Sequence, residues 1–436
     1  MKKHARRLAF DALRRADREK IFAGDALRDV FADVAPDARE KALAAAIVSS
    51  VSERLITIDH QLSLYLDRPV GKLQPQILTI LRMGICQLFF LDGVPSFSAV
   101  NESVKLAGEV GVSYAKGLIN AVLRKASAAG LCYPDGKKDP DGFLSVRYSF
   151  SNDIIAILKD YLGDAGALSF MESAFGSREL RCVLNTVKCS SDELSSLLAT
   201  DNASAVFDDS GETFVLSSPI AVNELKAFRD GCFFVQDKAS FLCCAALGAQ
   251  PGDTVLDACA APGGKSFSTA VRMKDSGHIY SCDVIEKRAV KISEGAERLG
   301  FKSVEALVRD ASDPSLFFPD CDRVLCDVPC SGIGVASRKP EIRYKTSADI
   351  AHLPVIQFSI LSNVSRSVKR GGRLVYSTCT LNRAENEAVA DRFLNIAGDF
   401  EPSPVLPEMF GGRSSVVLTP DAYGCDGFFI ASFIRK

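Results

Sequence analysis

The chain has 436 residues, of which 47% are hydrophobic and 24% charged, with a formal net charge of −2. This is the composition of a globular protein and excludes a disordered tail, a collagen-like fibre and a coiled-coil rod. At about 150 residues per domain there is room for roughly three domains, and the longest apolar stretch, around Ile85–Leu91, falls far short of a membrane span.

The charged start, Met1-Lys2-Lys3-His4-Ala5-Arg6-Arg7, leads into an amphipathic segment with no signal-peptide core, so a cytoplasmic protein with no membrane partner is expected. Leu8, Ala9, Ala12, Leu13 and Ala16 keep an i, i+3, i+4 rhythm, with Arg14, Arg15 and Arg18 facing away. Comparable stripes cover Ala42–Ser52, Ile56–Leu66, Gln76–Leu91, Val100–Glu109 and Tyr114–Ala128. Breaks fall at Ala35-Pro36, Arg68-Pro69 and Gly93-Val94-Pro95, so residues 1–132 are predicted to form an all-α bundle. Residues 1–130 hold 19 Lys+Arg against 14 Asp+Glu, and the remainder 33 against 40. That bias suits either a nucleic-acid foothold or an ordinary solvated helix face.

Cys132–Gly142 is polar and turn-rich and reads as a linker. Residues 143–230 read as a small α+β module. Its helices are Ile154–Leu162, Ala167–Ala174 and Ser191–Leu198, and its strands Leu180–Val187, Ala205–Phe207 and Thr213–Leu216. From about Gly231 short apolar strands alternate with helices: Thr254–Ala258, His278–Cys282, Val304–Val308, Arg323–Cys326 and Arg373–Ser377, with Lys287–Leu299 and Ile350–Val368 between them. This alternation predicts a doubly wound α/β sheet of parallel strands over 231–436. Ligands bind such sheets outside the carboxyl ends of the strands.

The first strand ends in Asp257-Ala258-Cys259-Ala260-Ala261-Pro262-Gly263-Gly264-Lys265, a turn that lets a ligand approach backbone and a helix N-terminus. It has neither a GxGxxG pattern nor the spacing of a phosphate-binding loop. Asp283 ends the second strand, where a carboxylate would hold ribose hydroxyls, and Asp310 ends the third, facing an adenine edge. Each acid alone fits a helix cap as well; three in register favour a nucleoside-containing cofactor. The fourth strand delivers Asp327-Val328-Pro329-Cys330 and the next Ser377-Thr378-Cys379-Thr380. The chain has 14 cysteines, 4 histidines and no CxxC pair, so free thiols and no metal are expected.

Asp257–Lys265, Asp327–Gly332 and Ser377–Thr380 resemble the motifs of S-adenosylmethionine-dependent RNA cytosine-5 methyltransferases, with supporting matches at Phe234–Ser240, Arg338–Tyr344, Glu385–Glu387 and Asp426–Phe429. Ala99–Val104 and Lys116–Arg124 are similar to a NusB-type RNA-binding helical domain. The combination resembles the bacterial enzymes of this family that act on 16S ribosomal RNA, and it covers nearly the whole chain. There are departures. Ser149–Ile154 replaces a His-Pro-x-Trp-like step, the chain has no tryptophan, and Arg338-Lys339-Pro340-Glu341 replaces Arg-His-Pro-Asp. These changes bear on RNA register and target nucleotide rather than on the reaction class.

Cytosine C5 becomes nucleophilic only after a thiolate adds at C6, which is covalent catalysis. The residues do not choose between the two cysteines. The resemblance implies Cys379 as nucleophile, Cys330 as the residue aiding adduct breakdown, and Asp327 as a contact to the target base and cofactor edge. It implies S-adenosylmethionine held by Cys259, Ala260, Ala261, Pro262, Gly263, Gly264, Lys265, Asp283, Asp310 and Asp327, although Lys265 fits loop ordering or an RNA phosphate as well. The implied partner is small-subunit ribosomal RNA with the target base unpaired or flipped out; a monomer is the default expectation. Rival readings are a methyltransferase for transfer RNA, other RNA, DNA or protein, a non-catalytic RNA-assembly scaffold, and an NAD-dependent dehydrogenase. The last lacks its glycine fingerprint.

Overall fold

The computed structural model describes residues 4–176, 179–315, 318 and 320–436. The chain divides into two units, Met1–Lys159 with Arg338–Thr346, and Asp160–Ser337 with Ser347–Lys436.

The first unit is helical: α1 (Ala5–Glu19), α2 (Ala23–Val34), α3 (Ala38–Glu53), α4 (Leu55–Ser63), α5 (Pro75–Phe89), α6 (Ser96–Glu109), α7 (Lys116–Ala129), α8 (Pro140–Tyr148) and the start of α9 (Asn152–Ser173). The expected stripes form its core, in which Leu8, Ile47, Ile58, Ile80, Leu81, Ile119 and Leu123 are fully buried. The expected linker is shorter than its composition implied, because Asp139 accepts from Gly142 N–H at 2.9 Å and Pro140 opens α8. The basic face of α1 is paired within the unit. Arg7 meets Asp11 (3.0 Å), Arg14 meets Asp17 (3.3 Å), and Arg15 meets Glu19 and Asp29 (both 3.0 Å).

Residues 338–346 belong to this unit although they are distant in sequence. Arg343 is fully buried; its Nη1 donates to Glu53 O at 3.0 Å and its guanidinium lies 5.2 Å from the Phe150 ring centroid. Ser151 N–H donates to Arg343 O at 2.8 Å, the Tyr344 hydroxyl donates to Ser52 O, and Ala23 N–H donates to the Glu341 carboxylate at 2.9 Å.

The second unit opens within α9, at Asp160, and Gly163, with φ of 73°, breaks that helix into the two expected helices. A four-stranded antiparallel sheet follows, built from β1 (Leu180–Leu184), β2 (Ser204–Phe207), β3 (Thr213–Ser217) and β4 (Phe233–Val235) in the order β2-β3-β1-β4. Helices α10 (Ser191–Thr200, with a Ser190/Glu193 capping box) and α11 (Lys226–Arg229) accompany it.

The large sheet comprises β5 (Thr254–Asp257), β6 (His278–Asp283), β7 (Val304–Val308), β8 (Cys321–Asp327), β9 (Val368–Thr378), β10 (Phe400–Pro402), β11 (Ser415–Leu418) and β12 (Phe428–Arg435). Its order is β10-β12-β9-β8-β5-β6-β7, with β11 on β12. Strands β5 to β9 are parallel, as expected. Strands β10, β11 and β12 correct the all-parallel reading: β12 runs antiparallel to β9, and both others pair antiparallel with β12. The connection from β11 to β12, residues 419–427, is too short for a parallel crossover.

Helices α12 (Lys238–Leu247), α13 (Gly264–Arg272) and α14 (Glu286–Leu299) cover one face over Val255, Ile279, Leu325 and Val375. The other face packs Leu256, Val324, Leu374 and Phe429 against residues of α16 (Leu353–Val364) and α17 (Glu387–Ile396). Covering both faces is why these strands read as continuous apolar runs. The expected helix Ile350–Val368 resolves into α15 (Ser347–Ile350), α16 and a 3-10 turn before β9. Among the described residues no helix is long and apolar enough to cross a membrane.

Candidate active site at the strand ends

Neighbouring parallel strands bring their carboxyl ends to one edge. Asp257 is paired across from Leu325, Asp283 from Val308, and Asp327 from Ser377. Each motif therefore stands beside another from a distant stretch of chain.

The loop after β5 is drawn onto the sheet edge: Ala260 N–H donates to Cys282 O at 2.7 Å and Gly263 N–H to Ala260 O at 2.8 Å. At φ of 109°, Gly263 occupies a conformation open to glycine, and a Cβ there would meet the Phe267 ring at 2.4 Å. Helix α13 starts immediately afterwards, its N-terminus facing the same edge. Gln236 accepts from Ser268 Oγ, while its buried Nε2 has no hydrogen-bond partner among the described residues and lies 3.6 Å from the position of a Cβ on Gly264. Asp257 is buried beneath this loop, accepts from Ser266 Oγ at 2.7 Å, and is pushed up to about 7, chiefly by burial.

Asp283 is buried at the end of β6 and accepts from Ile285 N–H at 2.9 Å. Asp310 is exposed beyond β7 and accepts from Ser312 N–H (2.9 Å) and Oγ (2.7 Å), a local turn. Asp327 accepts from Lys265 Nζ and Ser377 Oγ, each at 2.7 Å. Burial alone lowers the Lys265 ammonium, but the Asp327 carboxylate outweighs it and the net shift is upward. The ammonium also lies 5.3 Å from the Phe428 ring centroid. Lys265 thus joins the glycine loop to the end of β8.

Cys330 and Cys379 are half-buried, with their sulfurs 3.1 Å apart, and every cysteine in the chain is free. The Cys330 thiol is pushed well above its ordinary range, first by its hydrogen bond to Cys379 and then by burial. Gly334 N–H donates to Cys379 O (3.0 Å) and Gly427 N–H to Gly334 O (3.0 Å), an approach so close that a Cβ on Gly334 would lie 1.8 Å from Gly427 O.

Two further buried residues belong to this site, Glu385 and Asn386. Glu385 Oε2 accepts from Ser331 N–H (2.8 Å) and Gln357 Nε2 (2.9 Å), and Oε1 from Asn382 Nδ2 (2.8 Å). Asn386 Oδ1 accepts from Thr378 Oγ1 (2.5 Å), and its Nδ2 donates to Thr380 O (3.0 Å) and to the Tyr161 hydroxyl oxygen (3.1 Å). The motif match at 385–387 marked the place but carried no role. By position Asn386 looks like the cap of α17, yet its side chain makes no capping bond. Among the described residues no group of three or more His, Cys, Asp or Glu side chains is placed to hold a metal ion.

The family model described as 16S rRNA methyltransferase RsmB/F matches residues 244–434, and that of the NusB family matches residues 3–128. The Bacillus subtilis protein named probable ribosomal RNA small subunit methyltransferase B is 31% identical over 100% of this chain and 99% of its own length. The chain belongs to the RsmB/F family. A second RsmB-type relative, the Synechocystis protein of the same name, is 33% identical over 98% of each chain. Among solved structures, that of PH0851 matches with a TM-score of 0.84 at 25% identity over 99% of this chain and 98% of that one. A methyltransferase homologue from Pyrococcus horikoshii matches with a TM-score of 0.56 at 28% identity, over 67% of this chain and 98% of that one. Both RsmB/F-type elements of the site, the glycine loop and the two cysteines, lie inside the matched 244–434 region.

Proposed function

We propose that this chain methylates C5 of a cytosine in small-subunit (16S) ribosomal RNA, using S-adenosylmethionine and a covalent link from Cys379 to C6. The observation that carries this reading is the pair of thiols 3.1 Å apart at the ends of adjacent strands, beside the glycine loop. Family membership and the names of the relatives support the substrate class.

The edge suits S-adenosylmethionine. The unpartnered Gln236 Nε2 and the N-terminus of α13 offer donors for a carboxylate, Cys259–Lys265 wraps the amino-acid portion, Asp283 serves the ribose, and Asp310 the adenine side. When bound, the cofactor supplies an electrophilic methyl group.

Cys379 adds through sulfur to C6, placing electron density on C5, which takes the methyl group. Removal of the C5 proton by a base then re-forms the C5–C6 double bond and expels the Cys379 thiolate. Across the 3.1 Å contact either sulfur can donate, and a Cys379 thiolate would accept the Cys330 S–H. Cys330 stands beside the carbon-bonded Cys379 sulfur, where it can take part in adduct breakdown. Asp327 has both oxygens engaged, but a carboxylate accepts about four hydrogen bonds, so it can still receive the 4-amino group of the base. The base must be unpaired or flipped out to reach Cys379, at a cost of a few kcal/mol.

Bisulfite sequencing of ribosomal and transfer RNA from cells with and without this chain tests the proposal. A single 16S cytosine that loses protection in its absence is expected. Loss in transfer RNA alone moves the substrate, and no loss anywhere overturns the reading.

A further inference from the structure

Consecutive side chains outside the reacting pair each hold one of the two cysteines. Around Cys330, Gln357 Nε2 donates to the preceding carbonyl, Pro329 O, at 3.0 Å, and to Glu385 Oε2 at 2.9 Å. Glu385 Oε2 also receives the following amide, Ser331 N–H, at 2.8 Å. Both neighbours of Cys330 are therefore tied to one carboxylate. Around Cys379 the same is done by an amide: Asn386 accepts from the preceding Thr378 Oγ1 (2.5 Å) and donates to the following Thr380 O (3.0 Å). Glu385 and Asn386 are fully buried, so water cannot replace a lost partner, and the orphaned groups bear the full penalty.

We propose that Glu385 and Asn386 are positioning residues with divided roles: Glu385 sets Cys330 for adduct breakdown, and Asn386 sets Cys379 for attack. The proposal rests on the roles of the two cysteines given above. The division follows from geometry. Every group meeting the Glu385 carboxylate is a donor, namely Ser331 N–H, Gln357 Nε2 and Asn382 Nδ2. Glu385→Met removes both acceptor oxygens, leaves Ser331 N–H and Gln357 Nε2 without that partner and releases the Cys330 turn, while the bonds from Asn386 to Thr378 and Thr380 are untouched. Replacing the Asn386 amide by a carboxylate sets an oxygen against Thr380 O and releases the Cys379 turn. The two turns also touch directly, through Ser331 Oγ and Thr380 Oγ1 (2.6 Å), the two sulfurs (3.1 Å) and Gly334 N–H to Cys379 O (3.0 Å), and neither change removes any of these atoms.

The test uses the full chain, a 16S ribosomal RNA transcript and S-adenosylmethionine, and reads methylated cytosine, SDS-resistant protein–RNA complex and cofactor binding by calorimetry. Glu385→Met is expected to lower turnover by about tenfold to a hundredfold while the SDS-resistant complex accumulates. Asn386→Asp is expected to lower turnover by a similar factor with the complex falling in parallel. Both should bind cofactor as the wild type does. A purely structural role would give the two variants one common phenotype, and that outcome, or unchanged turnover, overturns the inference. If either variant fails to fold, Gln357→Leu and Thr378→Val take their places with the same crossed expectation. A wild type that methylates while its variants do not cross over defeats only this inference. A wild type that methylates no cytosine defeats the functional reading and this inference together.

Discussion

If the two sulfurs, 3.1 Å apart, act at different steps as proposed, mutation separates them. Cys379→Ala is expected to abolish both methylation and the SDS-resistant complex while calorimetry shows near-normal cofactor binding. Cys330→Ala is expected to accumulate the complex through Cys379. A complex that forms without Cys379 and is lost without Cys330 reverses the assignment. Asp257 makes a different prediction, about stability. Its folded-state value of about 7 lies above its ordinary range, so its contribution is full at low pH and disappears as pH rises through that value. Asp257→Asn should therefore gain in melting temperature relative to wild type as pH rises from about 4 to about 7 and then level off, each pKa unit being worth about 1.4 kcal/mol. A pH-independent difference would falsify this. The cysteines and strand-end acids were legible in the sequence because each ends a recognisable apolar run. Their partners were not: Lys265 meets Asp327 across 62 residues of chain and Ser331 meets Glu385 across 54. Spacing carries no record of such pairings.

At the level of elements, the helix stripes and the five parallel strands were readable from period and punctuation, whereas the antiparallel edge was not. Phe428–Arg435 is buried along most of its length and reads as a short apolar run interrupted by Ser432 and ended by Arg435, which periodicity cannot separate from a buried helix. That edge nonetheless shapes the site, since the turn before β12 brings Gly427 against Gly334 in the loop following Cys330. Gly334→Ala is expected to cost about 1–3 kcal/mol through overpacking against backbone, read as a lower melting temperature, with reduced methylation because Gly334 also donates to Cys379 O. Normal stability and activity would show that the loop can move aside. Asp310 illustrates a weaker inference from element ends: the carboxylate is at the expected place, but in this structure it serves its own turn.

For the whole molecule, membership of the helical unit could not be read from chain order. Arg338–Tyr344 stood out only as a motif, and its departure from the family pattern pointed to RNA register. In the structure it supplies a buried arginine to the helical unit. Arg343→Met should weaken that unit by about 1–3 kcal/mol, the cost of leaving buried acceptors such as Glu53 O unpaired. A lowered melting transition and faster proteolysis within residues 5–159 would check it, and an unchanged melt would refute it.

This arrangement also bears on how the protein is made. Domains commonly fold in order as they leave the ribosome, but here the N-terminal helices lack a buried piece of their interior until Thr346 has emerged. The helical unit must wait, unfinished, through synthesis of the glycine loop and of the strand that carries Cys330. It can therefore be completed only after both of those parts of the chain exist.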